Sequence, residues 1–149
     1  MGRRVYEAEV IIDASVSAVW DVLVDFESYP RWNPFTLEVK TSLVVGEPVD
    51  MRVRMAKLGI SLQQRETIRA VVPEARIVWG TSKMGGVISG EREQTLEALG
   101  DGKTRYRTTD VIEGPLGALV FGVFGPSVQV GFDAVAASLA EEVARRSAS

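Results

Sequence analysis

From Leu37 onward the chain alternates apolar and polar side chains in β fashion for about seventy-five residues, then switches to a single long helical stripe. Turn signals cut the β region at Gly46-Glu47-Pro48, Leu58-Gly59, Pro73-Glu74, Met84-Gly85-Gly86 and Gly100-Asp101-Gly102, giving six strands in a meander. One more strand precedes them: Tyr6, Ala8, Val10 and Ile12 alternate with Val5, Glu7, Glu9 and Ile11, and the run ends at Asp13-Ala14-Ser15. Ser15 or Ser17 caps a helix whose inner face is Val16, Val19, Trp20, Leu23 and Val24. Ser28-Tyr29-Pro30 stops that helix, because Pro30 disfavours a helical Tyr29, and Trp32-Asn33-Pro34-Phe35 leaves room for one further turn.

The closing helix runs from Leu116 to about Arg146, with Leu116, Val120, Phe124, Val128, Phe132, Val135, Leu139 and Val143 on one stripe. Gly117, Gly122, Gly125, Pro126 and Gly131 crowd its first half, where each Gly costs about 1 kcal/mol and Pro about 3. A kink or break is expected near Gly125-Pro126, and the glycines suggest a hinged lid. The expected class is α+β: a seven-stranded curved antiparallel sheet around a long C-terminal helix, one domain over residues 1–149. One helix cannot fill the concave face of such a sheet, so the architecture encloses a cavity.

What the chain lacks narrows the chemistry. With no Cys and no His there is no disulfide, thiolate nucleophile, Ser-His-Asp triad or imidazole-ligated metal, and no metal or cofactor is expected. Proton transfer near neutrality would fall to a shifted Asp, Glu or Lys, to Tyr, or to water. A net charge of -3 gives no electrostatic footprint for nucleic acid. Residues Met1 to Ile12 lack the apolar run of a signal peptide, so a cytoplasmic protein without an integral membrane segment is expected.

The inward faces carry the functional signal. A three-residue turn at Gly100-Asp101-Gly102 pairs Leu99 with Lys103, and counting back sets Leu96 opposite Tyr106, Gln94 opposite Thr108 and Arg92 opposite Asp110. The same register leaves Glu97 opposite Arg105 outside, so both faces are chemically sensible. Arg92 and Asp110 are then expected as an ion pair on the concave face. Three readings fit them: a structural pair in a partly wet interior, a bulge that turns one of them outward, or a guanidinium that anchors a ligand's carboxylate, carbonyl or phenol.

The strand Ile60, Leu62, Gln64, Glu66, Ile68 and Ala70 also sets two polar groups, Gln64 and Glu66, on its apolar face, unless the register slips or they lie at an open sheet end, and Trp79 is either plain core or a pocket wall. Met51, Val53 and Met55 add adaptable apolar surface. The candidate ligand-binding set is Gln64, Glu66, Trp79, Arg92, Gln94, Tyr106, Thr108 and Asp110, with Phe124 and Val128 from the helix. Asp21 and Asp25 fall on the solvent face of the first helix, and Arg52, Arg54, Arg65 and Arg69 form a basic outer patch on two strands. Gly85-Gly86 and Gly114-Pro115-Leu116-Gly117 lack the context of a phosphate loop.

The run Ile12-Asp13-Ala14-Ser15, Val19-Trp20-Asp21-Val22-Leu23, Asp25-Phe26, Tyr29-Pro30 and Trp32-Asn33-Pro34-Phe35 resembles the opening of the SRPBCC superfamily. Pro73 to Trp79, Leu96-Glu97 before the Gly-Asp-Gly turn, Thr104, and Glu113-Gly114 agree with it. These helix-grip proteins include START domains, the birch-pollen allergen and the polyketide cyclase/dehydrase group. The resemblance spans essentially the whole chain and implies a helix-grip fold, with two short helices after the first strand. It also implies a deep cavity for lipids, sterols, polyketides, hormones or quinones, some members being enzymes. Many bacterial members resemble one another in a His where this chain has Arg92, a departure that favours anchoring over acid-base work there.

Three functions are therefore in play. The first is a carrier or binding module for a hydrophobic small molecule, monomeric or weakly dimeric. The second is an aromatase, cyclase or dehydratase with Asp110 or Glu66 as base, Tyr106 as acid and Arg92 holding an enolate. The third is a co-chaperone- or toxin-like interaction module, which would have a filled interior.

Overall fold

A computed structural model describes residues 2–83 and 88–148. Strand β1 (Gly2–Ile12) is followed by α1 (Val16–Leu23), a short 3-10 turn (Phe26–Ser28) and α2 (Tyr29–Trp32). Strands β2 (Thr36–Thr41), β3 (Pro48–Met55), β4 (Ile60–Val72), β5 (Arg76–Lys83), β6 (Ile88–Leu99) and β7 (Lys103–Gly114) come next, and α3 (Gly117–Ser147) closes the chain. The seven strands form one antiparallel sheet in the order β1-β7-β6-β5-β4-β3-β2. The six later strands are the expected meander, and β1 joins its far edge by pairing with β7 from Gly2↔Gly114 to Ile12↔Thr104. That pairing extends β1 beyond the alternation that begins at Val5.

Ser15 caps α1, its Oγ accepting from the Ala18 N–H at 3.2 Å. Pro30 does not keep Tyr29 out of a helix. Tyr29 has φ -55° and ψ -42° and Pro30 lies in the first turn of α2, where a missing N–H costs no hydrogen bond. Packing fixes the turn: the Tyr29 ring meets Phe26 and Trp32 edge-on at 5.2 Å each, and its hydroxyl donates to the Leu23 carbonyl.

The β6–β7 register is the one counted from the turn, with Leu99↔Lys103, Leu96↔Tyr106, Gln94↔Thr108 and Arg92↔Asp110 all paired. Bulges near Thr36 and between Ile68 and Ala70 bend the sheet around α3. Val128, Phe132, Val135, Leu139 and Val143 are buried against it, so this apolar helix serves as the core helix of the fold.

Of the kink or break expected near Gly125-Pro126, the break does not occur: α3 is one helix with Pro126 inside it. Close packing accounts for two of its glycines. A Cβ at Gly125 would lie 2.3 Å from the Tyr6 hydroxyl, and one at Gly131 would lie 2.0 Å from Cδ1 of Phe35. The helix backbone thus approaches β1 and the start of β2 closely enough to stay anchored across the proline. Met84-Gly85-Gly86 lies outside the described residues.

Candidate functional site

Between sheet and helix lies a cavity of about 280 Å³. Its apolar wall is Phe35, Met51, Val53, Met55, Leu62, Trp79, Ile112, Phe124 and Val128, and its polar groups include Gln64, Glu66, Thr81, Ser89, Arg92 and Asp110. The inward alternation of β4, β6 and β7 delivers most of these polar groups to one space from strands far apart in the sequence.

Arg92 is the most constrained of them, only 7% exposed. Its Nε donates to Thr108 Oγ1 at 3.1 Å, Nη1 to Thr36 Oγ1 at 3.2 Å and Nη2 to Gln94 Oε1 at 3.5 Å. Three rings enclose the guanidinium carbon, with centroids at 4.8 Å (Phe132), 5.5 Å (Phe35) and 5.9 Å (Trp79). Phe35 and Phe132 meet edge-on at 5.4 Å. The local sequence explains two of these neighbours: Asn33 Oδ1 accepts from the backbone N–H of Phe35 at 2.9 Å and of Thr36 at 2.8 Å. That Asx turn delivers the Phe35 ring and the Thr36 hydroxyl to Arg92.

The expected Arg92–Asp110 ion pair does not form. The two residues are register partners, but among the described residues no carboxylate comes within ion-pair distance of Arg92. Neutral oxygens and aromatic faces hold the guanidinium instead, while Asp110 places Oδ1 4.0 Å from where a Cβ of Gly90 would stand. Burial, then the negative charge of Glu66, pushes the Asp110 carboxyl up to about 7, against the opposing pull of Arg92.

Of the candidate set, Gln64, Glu66, Trp79, Arg92, Asp110, Phe124 and Val128 border the cavity. Gln94, Tyr106 and Thr108 do not: they are buried behind Arg92. The Tyr106 hydroxyl donates to Gln94 Oε1 at 2.6 Å, and burial raises its pKa, which ties its proton to the scaffold. Thr36, Phe35 and Phe132 were absent from the candidate set, although Asn-Pro ahead of Phe35-Thr36 is a turn signal that marks two of them.

The outer Arg patch is largely neutralised, through Arg52–Glu38 at 3.4 Å, Arg65–Asp50 at 2.6 Å and Arg69–Glu91 at 3.9 Å. Asp25 is no simple solvent-facing acid either: it accepts from Ser28 and pairs with Arg146 at 3.0 Å, which lowers its pKa.

Residues 3–144 match the family described as polyketide cyclase / dehydrase and lipid transport. The chain belongs to that family. Among solved structures, an aromatase/cyclase from Streptomyces is 18% identical with a TM-score of 0.73, covering 98% of this chain and 96% of its own. A START superfamily protein from Mycobacterium smegmatis is 19% identical with a TM-score of 0.70, covering 97% and 99%. A protein from Thermus thermophilus is 17% identical with a TM-score of 0.73, covering 97% and 99%. At these identities the likeness to solved structures is one of fold. No curated protein matches the chain. Family membership agrees with the helix-grip architecture expected from the opening motif and with a role in hydrophobic ligand binding or cyclisation.

Proposed function

We propose that this member of the polyketide cyclase / dehydrase and lipid transport family binds a small apolar molecule with one oxygen-bearing polar end, which accepts hydrogen bonds from Arg92. The observation that carries this reading is a buried guanidinium that borders a largely apolar cavity without a carboxylate partner. Three of its five N–H groups meet neutral oxygens, and the other two have no protein acceptor among the described residues. A carbonyl, phenol or carboxylate of a ligand supplies what is missing. The cavity volume lies near the low end of small-molecule sites, about 300–1,000 Å³, which points to a compact ring system or short acyl chain. An open cavity also argues against the interaction-module reading, which calls for a filled interior.

Native mass spectrometry of the purified protein, with extraction of whatever it carries, tests the reading. A co-purifying apolar ligand present in the wild type and lost in Arg92→Ala is the expected result. A ligand retained in full by Arg92→Ala would overturn the anchoring role.

A second reading has its own observation. Asp110, held near neutrality in the same cavity as Arg92, is placed to give or take a proton while the guanidinium stabilises an enolate, as a cyclase or dehydratase requires. Asp110→Asn separates the two readings, because it should leave binding intact and abolish turnover only if the chain is an enzyme.

A further inference from the structure

Helix α3 carries a second apolar stripe that faces away from the cavity. From Gly114 to Phe132, nineteen residues, the sequence has no ionisable side chain. Within that run Leu119, Val123 and Val130 are 68%, 43% and 40% exposed, and Pro126 is exposed as well. The spacing of three and four residues places them on one helix face, opposite the inward stripe of the half-buried Phe124 and the buried Val128 and Phe132. A helix at the surface of a soluble protein ordinarily turns polar residues outward.

The patch continues onto the β3–β4 hairpin. The backbone N–H of Lys57 donates to Ser127 Oγ at 3.0 Å, tying the hairpin tip to α3 beside the exposed stripe. At that tip Leu58 and Ile60 are 42% and 46% exposed. Arg54 and Lys57 are exposed, neither takes part in an ion pair among the described residues, and Met55 to Ser61 includes no acid. An apolar face with a basic rim thus stands out on a chain whose net charge is -3.

We propose that the outer stripe of α3 and the β3–β4 tip dock the protein onto an anionic lipid bilayer surface. Exposed Leu, Val and Ile side chains enter the headgroup–acyl boundary, while Arg54 and Lys57 meet anionic headgroups. Charge favours this occupant over a second copy: the hairpin rim carries Arg54 and Lys57 without an acid, and the acid that closes the stripe, Asp133, lies a turn beyond Val130 with its Oδ1 accepting from Gln129, so two such faces docked together would bring basic rims against each other. The same turns of α3 carry Phe124 and Val128 into the cavity wall, so the docking helix is also a wall of the pocket. This inference goes beyond the pocket reading and does not depend on which ligand is bound.

Co-sedimentation with vesicles of phosphatidylcholine, with and without phosphatidylglycerol, tests it. The wild type is expected to sediment with the phosphatidylglycerol vesicles. Replacing Leu119 and Val123 together by Glu should lower that partitioning at least about tenfold, since it exchanges apolar insertion for repulsion. Lys57→Glu should lower it at least about fivefold on the anionic vesicles and leave the phosphatidylcholine control unchanged. All three positions are exposed, and circular dichroism verifies the fold; Lys57→Glu still decides the matter should the double variant unfold. A wild type that stays in the supernatant with both vesicle types would overturn the proposal, as would a folded double variant that sediments like the wild type. A micromolar wild-type dimer made monomeric by the double variant would reassign the face to a second copy.

Discussion

Arg92 and Asp110 stand opposite each other in the β6–β7 ladder, yet their charges do not meet. Arg92 donates to Thr36, Gln94 and Thr108, while the Asp110 carboxylate leans toward Gly90, whose missing side chain leaves it room. A contact pair would have neutralised both groups. Apart, they give one cavity a fixed donor and a titratable acid.

The Asp110 titration sets a stability signature. Its folded pKa, about 7, lies above the ordinary value of 3.8, so the unfolded chain ionises first as pH rises. The contribution of the protonated group is fully present below about pH 4 and is lost as pH rises through about 7. Asp110→Asn removes that dependence. The groups that bear on it are Glu66, Arg92 and Tyr6, all inward on neighbouring walls. Urea denaturation should find the variant more stable than wild type by on the order of 1–3 kcal/mol at about pH 8, the gap closing toward about pH 4. A constant gap across that range would assign the effect to packing.

The hydroxyls that hold Arg92 should matter to stability and to binding. Thr36→Val and Thr108→Val each keep side-chain shape but remove one acceptor from a buried guanidinium. Each should cost about 1–3 kcal/mol in chemical denaturation and weaken ligand retention, because the guanidinium loses its fixed orientation. The two losses should be less than additive, since both act through one group.

Much of this arrangement was legible in the sequence. The Gly-Asp-Gly turn sets the β6–β7 register by counting, and period-two alternation puts Glu66, Arg92 and Asp110 on one face. Counting along a strand gives the side a residue faces, but not the rotamer that decides whether two partners touch. Arg92 turns to Thr36, fifty-six positions away, and nothing local to either residue announces the contact. The glycines of α3 misled for a related reason. Propensity reads Gly125 and Gly131 as weak points, whereas the aromatic groups of Tyr6 and Phe35, from other elements, make them packing sites.

Glu142 anchors the far end of α3. Its side chain is 1% exposed, and Arg31, Arg145 and Arg146 all reach it, with Arg31 forming a two-point contact at 2.8 and 3.3 Å. Glu142→Gln leaves three guanidinium groups around a neutral amide. The expected loss is about 2–4 kcal/mol in thermal or urea unfolding, greater than for removing one of the exposed arginine partners. Arg31→Ala, at a half-exposed position with two other arginines still in place, should cost about 1 kcal/mol or less.

The sharpest packing test is at Gly131. Its Cα lies against the Phe35 ring so closely that an added Cβ would stand 2.0 Å from Cδ1 and 2.7 Å from Cγ, and Phe35 cannot retreat without leaving Arg92 and Phe132. Helix propensity alone predicts that Gly131→Ala stabilises α3 by about 1 kcal/mol. Steric overlap predicts the opposite sign, a loss of about 1–3 kcal/mol as ring and helix are forced apart. The observed distances make the overlap the larger effect, so a lower unfolding midpoint is expected, together with weaker ligand retention as the wall around Arg92 opens. Phe35→Leu in the Gly131→Ala background should recover part of the stability, and a double-mutant cycle measures that coupling. A stabilised Gly131→Ala protein would mean that Phe35 and α3 are not in contact and that this helix gains from every glycine it loses.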